Sequence, residues 1–257
     1  MMTKRPKTLP SVTPNAGVAE AYRKELVGMV DDLHRSMATE VLRGMKNTGL
    51  AQDGPVDILN GIINRVANGL LSRLNRVAER MAERFTASVQ QNADVSLFTS
   101  MRDAGLTVKM SMTPEMADAY DAVRAENVAL IKSIPEQYHR QVEVLVNESV
   151  ARGRDLKYLA DELHKRYGIT RRRAEFIARD QNDKATSTLT AARQRQQGFT
   201  HGEWMHSHAG KEPRRSHVRA NGKTFDLAKG MKIDGEWIMP GQLINCRCSW
   251  LPVIPDL

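Results

Sequence analysis

Two cysteines, 5% aromatics and no long apolar run set the first limits on this chain of 257 residues. Two thiols are too few for the disulfide framework of a small secreted domain, which points to synthesis in a reducing cytoplasm. Rings this sparse do not fill β-sandwich cores, and the composition reads as polar and mostly helical. No apolar run approaches the roughly 20 residues a helical membrane span needs, so no membrane partner is expected. The stretch 1–17 is basic and contains proline but lacks the apolar core of a signal peptide, and it reads as a flexible basic arm. Acid is the scarcer charge. Thirty Asp and Glu stand against 38 Lys and Arg, giving a net charge of +8 and a pI near 9.6. A surface of that sign favours polyanions through phosphate contacts and counterion release.

Helical periodicity dominates what is present. Tyr22, Leu26, Met29, Leu33, Met37, Val41 and Met45 recur at three- and four-residue spacings and predict a helix from about 18 to 48, with Gly49 as its C-cap. A break at 51–54 follows, and Pro55 can open the next helix, expected over 56–91. Its apolar stripe includes Leu59, Ile62, Ile63, Val66, Leu70, Leu74, Val77, Met81 and Phe85. The opposite face carries Arg65, Arg73, Arg76, Arg80 and Arg84 with Glu79 and Glu83 interspersed, and reads first as a solvated face. Thr113 and Pro114 mark a helix start expected to run to Ser133, before Pro135. Further helices are predicted over 136–152, over 155–167 ending at Gly168, and from Thr170 to Gly198.

After Gly198 the pattern changes to short apolar runs separated by turns, with Asn221-Gly222 and Asp234-Gly235 as hairpin signals. The predicted class is therefore α+β: a mainly helical N-terminal body, 18–167, and a small β-rich C-terminal unit within 168–257 packed on a long helix. All three tryptophans, Trp204, Trp237 and Trp250, fall in the β-rich part. A unit of this size needs a staple or a neighbour to complete its core.

Four of the seven histidines and both cysteines lie between His201 and Cys248. Cys246 and Cys248 are i and i+2, and on a strand would share a face; His206 and His208 stand in the same relation. Two such pairs supply the imidazole and thiolate ligands of a tetrahedral zinc site, with His217 as a substitute. Against this, Cys-x-Cys is less typical of zinc knuckles than Cys-x₂₋₄-Cys, and free cysteine often behaves as a small buried hydrophobe. Inert buried thiols on a closing strand are the leading reading, with Arg247 pointing the other way; structural zinc and a redox pair are the alternatives. The segment between the two clusters is basic, with Lys211, Arg214, Arg215, Arg219 and, further on, Arg247, and reads as a loop suited to phosphate or carboxylate partners. Neither a His-Glu-x-x-His helix nor a phosphate-cradling glycine loop is present, so no enzyme is predicted.

Trp204, then PRRSH at 213–217, NGKTFDL at 221–227, GEWIMPGQ at 235–242 and NCRCSWLPV at 245–253 form an ordered series. In order and spacing it resembles the C-terminal domain of the phage head morphogenesis family, the Mu protein F-like minor capsid proteins, over roughly 168–254. The helix containing IARDQNDKATSTLTAARQRQQG is similar to the lead-in helix of that family. Two departures are visible: Glu212 is the only acid shortly before the Arg214-x-x-His217 motif, and Arg179-Asp180-Gln181 stands where family members often have Arg-Thr-Glu. The resemblance implies a structural minor head protein of a tailed phage or prophage, made in the host cytoplasm and found in the virion, in the procapsid interior or near the portal. It implies portal, capsid or scaffold proteins as partners, non-specific contact with packaged double-stranded DNA, and assistance in head assembly and DNA packaging or ejection. It implies no cofactor. The rival readings are a metal-dependent nuclease or effector built on the His/Cys cluster, and a general DNA-binding protein.

Overall fold

The computed structural model describes residues 7–47, 55–153, 155–208 and 212–255. Residues 1–6, Gly49, the 51–54 break and Lys211 lie outside them, as do the side chains of Leu59, Ile62, Val66 and Leu70. Four long helices come first: α1 (Ala16–Asn47), α2 (Pro55–Asp103), α3 (Pro114–Ala151) and α4 (Leu156–Gln196). A β-rich end follows, with β1 (His201–Met205), α5 (Arg215–Ala220), β2 (Thr224–Asp226), β3 (Met231–Ile233), β4 (Glu236–Ile238) and β5 (Ser249–Pro252). The class is α+β, mainly helical, as the sequence predicts.

Three helices run further than the sequence suggests. The polar run Gln90-Gln91-Asn92 reads as the end of α2, yet the buried stripe Phe85, Val89, Ala93, Leu97, Met101 continues beneath it. The helix ends instead at Gly105, whose positive φ of 74° allows the Leu106 N–H to reach back to the Met101 carbonyl at 2.9 Å. Pro135 sits inside α3 without ending it. A proline there costs about 3 kcal/mol. The buried side chains of Ile131, Ile134 and Tyr138, each contributing roughly 1.5–3 kcal/mol, outweigh that cost. Gly168 likewise lies within α4, because Leu159, Leu163, Thr170, Ala174 and Ile177 form one buried stripe across it. Its penalty of about 1 kcal/mol is small beside that burial. Thr113 does cap α3, its Oγ accepting from the Met116 N–H at 3.4 Å.

The chain divides into two compact units that are not consecutive stretches, so the expected boundary at 167/168 falls inside a helix. One unit comprises 20–83 and 126–178. Its core contains Leu33, Met37, Val41, Tyr138, Val142, Leu145, Leu159 and Leu163. Polar contacts in this unit include Tyr138 Oη with His34 Nδ1 at 2.7 Å, Tyr22 Oη donating to Asn127 Oδ1 at 2.9 Å, and Tyr167 Oη to Asp31 at 2.8 Å.

The other unit comprises 1–19, 84–125 and 179–257. It contains an antiparallel sheet of order β2-β1-β5 and a separate β3-β4 hairpin. The hairpin turns through Asp234 and Gly235, with φ values of 53° and 92°, as the Asp-Gly signal predicts. On the inner face of the sheet Trp204 stands opposite Trp250, and Gly202 opposite Phe225. A Cβ at Gly202 would meet Trp250 Cδ1 at 2.6 Å, so the missing side chain makes room for the rings. Residues 7–15, expected as part of a flexible arm, are packed here. The Leu9 N–H donates to the Pro252 carbonyl at 2.9 Å and the Ile254 N–H to the Lys7 carbonyl at 2.9 Å, while Leu9 and Val12 are buried.

The C-terminal part of α4 is the polar spine of this unit. Arg193, 3% exposed, donates from Nε and Nη2 to the two Asp94 oxygens of α2 at 2.7 and 2.8 Å, and from Nη1 to the Ser111 carbonyl at 2.6 Å. Gln194 Oε1 accepts from Trp250 Nε1 at 2.6 Å. Asp183 is different: burial first, with Asp180 and Cys246 nearby, pushes its carboxyl up to about 6 despite Arg247 and Arg179.

Two outcomes follow for stability. Replacing Arg193 by alanine strands Asp94 and should cost about 3–5 kcal/mol in chemical denaturation, more than the apolar double replacement of Arg193 and Asp94. For Asp183, the folded carboxyl titrates above its ordinary 3.8, so between those pH values the folded chain holds a proton the unfolded chain has lost. Its contribution therefore falls as pH rises from about 4 to 6 and stays unfavourable above. Asp183→Asn should stabilise the protein by about 1–2 kcal/mol at pH 7.5, with the gain vanishing near pH 4.

Candidate functional site

The residues of the His/Cys cluster are delivered by three segments of the sheet-bearing unit. The first is the end of β1. The His206 N–H donates to Asn221 Oδ1 at 2.8 Å, which fixes the chain where it leaves the strand. The second is α5, a helix where the sequence reads as a basic loop. Its six residues place His217 inward and leave Arg215 and Arg219 exposed, as is the N-cap Arg214.

The third segment is 240–248. Ser187 of α4 donates to the Pro240 carbonyl at 2.6 Å, and Asp180 of α4 accepts from the Asn245 N–H. Asn245 has a positive φ of 60°, a conformation asparagine tolerates better than most residues. The Cys246 N–H then closes a turn onto the Leu243 carbonyl at 2.9 Å. Cys246 and Cys248 precede β5 rather than lying on it, since the strand begins at Ser249. Their burial nevertheless alternates with Arg247: both cysteines are buried and the arginine is exposed.

The two thiols converge on one ring nitrogen. Cys246 Sγ is 3.4 Å and Cys248 Sγ 3.7 Å from His217 Nδ1. All three ligand-type atoms lie within 4.8 Å of one another. His217, expected as a substitute, is the histidine brought to the cysteines. His208 is exposed, with a positive φ of 51°. His206 is buried nearby, but its Nδ1 accepts from the His208 N–H at 3.1 Å. That bond puts the ring proton on Nε2. Burial, with His208 and His217 close by, lowers the His206 pKa and keeps the ring neutral.

Cys246 is held below the ordinary thiol range, chiefly by the hydrogen bond from Cys248, helped by the amide N–H groups of Cys248 and Gly241 and by His217. Cys248, which keeps the proton, is pushed up by the same bond and by burial. The cluster forms one wall of a pocket of about 530 Å³, also lined by His206, Ser207, Glu212, Arg214, Asn245 and Arg247. Asp180 and Ser187 are positioning residues the sequence reading passed over, and Asn221, expected in a hairpin turn, instead caps the C-terminus of α5. The departure noted at Arg179-Asp180-Gln181 is the one visible signal, and its aspartate is what holds Asn245.

Comparison with known proteins agrees with the ordered motifs. Residues 140–251 match the family model described as Phage Mu protein F like protein. A Haemophilus influenzae protein described only as uncharacterized is 32% identical over 182 residues, which is 70% of this chain and 40% of that protein. The chain thus spans less than half the length of this relative. No solved structure matches. Residues 140–251, which carry β1, α5 and all three converging side chains, are thus similar to the Phage Mu protein F-like family, as the ordered motifs suggest.

Proposed function

We propose that this protein is a structural minor head protein of a tailed phage or prophage, which joins the portal or procapsid and assists head assembly and DNA packaging or ejection. The observation that carries the reading is the family match over 140–251. The charge supports it: at +8 the chain attracts DNA at any sequence. Arg65, Arg73, Arg76 and Arg80 are exposed on α2, and Arg214, Arg215, Arg219 and Arg247 are exposed at the β-rich end. Phosphate contacts from such side chains position a protein on DNA without reading bases. Among the described residues no helix is long and apolar enough to cross a membrane.

Co-expressed with its cognate portal protein, the full chain should co-purify with that protein, and mass spectrometry should find it in purified procapsids or virions. Its absence from both kinds of particle would remove the head-protein reading. Binding to duplex DNA should be weak and indifferent to sequence, and should fall by orders of magnitude between about 50 and 200 mM salt. Affinity that holds constant across that range, or that discriminates strongly between sequences, would contradict the role assigned to the arginines.

A further inference from the structure

We propose that Cys246, Cys248 and His217 bind a zinc ion through three protein ligands, with a fourth coordination position facing the pocket beside His206. The distances are those of a coordination sphere. Zn–S bonds near 2.3 Å and Zn–N bonds near 2.0–2.1 Å, at tetrahedral angles, set sulfur and nitrogen about 3.5 Å apart. The two separations here, 3.4 and 3.7 Å, straddle that value.

One proton on the ring does not engage both sulfur atoms. Nδ1 of a histidine has either one lone pair or one N–H, so it serves one thiol and not two. A cation at the centre engages all three atoms at once. N–H donors also surround both sulfur atoms. The amide N–H groups of Gly241 and Cys248 are directed at Cys246, and that of Ser207 at Cys248. The indole N–H of Trp204, buried and without a hydrogen-bond partner, lies beside Cys248 as well. Donors to sulfur strengthen with charge on the sulfur, which is the condition metal binding creates. Ligation through Nδ1 fixes the His217 proton on Nε2, an atom that is buried without a partner beside the perpendicular Trp204 ring.

Thiolate and imidazole together favour zinc over harder cations such as magnesium or calcium. His206 does not complete the set in this arrangement, because the bond its Nδ1 accepts leaves Nε2 as an N–H donor. Water or a small anion from the pocket takes the fourth place. The ion would join the end of β1, α5 and the 245–248 segment, supplying the staple that a unit with so small a sheet otherwise takes from its neighbours.

The test uses the full chain, purified from bacteria without chelator, and measures metal by mass spectrometry. About one zinc per chain is expected, falling below about a tenth in Cys246→Ser/Cys248→Ser and in His217→Ala, with His206→Ala and His208→Ala retaining it. Titration of metal-stripped wild-type protein with cobalt should give thiolate-to-cobalt charge-transfer absorption. That second measurement holds even if the serine variant fails to fold. Wild-type protein with less than about a tenth of a metal ion and no such absorption would overturn the proposal. So would full zinc occupancy in a folded Cys246→Ser/Cys248→Ser variant, which would place the ion elsewhere.

Discussion

Arg193 brings a full positive charge to a site only 3% exposed, and Asp94 is what makes that position tolerable. Isolated, such a charge would cost several kcal/mol. Paired through two parallel N–H bonds and anchored to the Ser111 carbonyl, it becomes a rigid joint among α4, α2 and the segment before α3. Once α4 is fixed there, its neighbouring polar side chains act as anchors. Gln194 holds Trp250 of β5, Ser187 holds Pro240, and Asp180 holds Asn245. These three residues lie seven positions apart along one helix, so the irregular C-terminal segment is pinned at several heights by a single element.

That arrangement explains why a loop without strand pairing can carry a defined site. Cys246 and Cys248 sit just before β5, where no ladder fixes their direction. Gly241 supplies a tight bend, with a positive φ of 82° and a Cβ position only 3.2 Å from Ser187 Cβ and 3.3 Å from the Cys248 carbonyl. The chain therefore passes close against α4, and Asp180 sets the next bend at Asn245. The thiols arrive at His217 because both bends are held from the helix, and β1 holds the third side through Asn221.

Helices and the Asp234-Gly235 hairpin were legible because each depends on local periodicity or turn chemistry. The extents of α2, α3 and α4 were less so. Gln90, Pro135 and Gly168 are local stop signals, and only tertiary burial of residues on either side overrides them. The in–out–in alternation of Cys246, Arg247 and Cys248 was readable from two-residue spacing even though no strand forms there. The choice of histidine was not. His206 and His208 copy the cysteine spacing, but the positive φ at His208 turns it to solvent and its amide occupies His206 Nδ1. His217 is selected by a short helix that Pro213, Arg214 and Arg215 gave no reason to expect.

Charge balance links this corner to the rest of a basic molecule. Arg214 and Arg247 line the pocket together with the neutral His206 ring and the two cysteines. An uncompensated Cys246 thiolate would attract those arginines, and Coulomb attraction at close range is large in a partly dry site. Arg247 is instead exposed, and Arg214 donates to the Ile244 carbonyl at 3.0 Å. A divalent cation bound by two thiolates and one neutral imidazole carries no net charge. With the sulfur charge cancelled from within, the arginines keep their outward field, and the same side chains remain free to meet a polyanion at the surface.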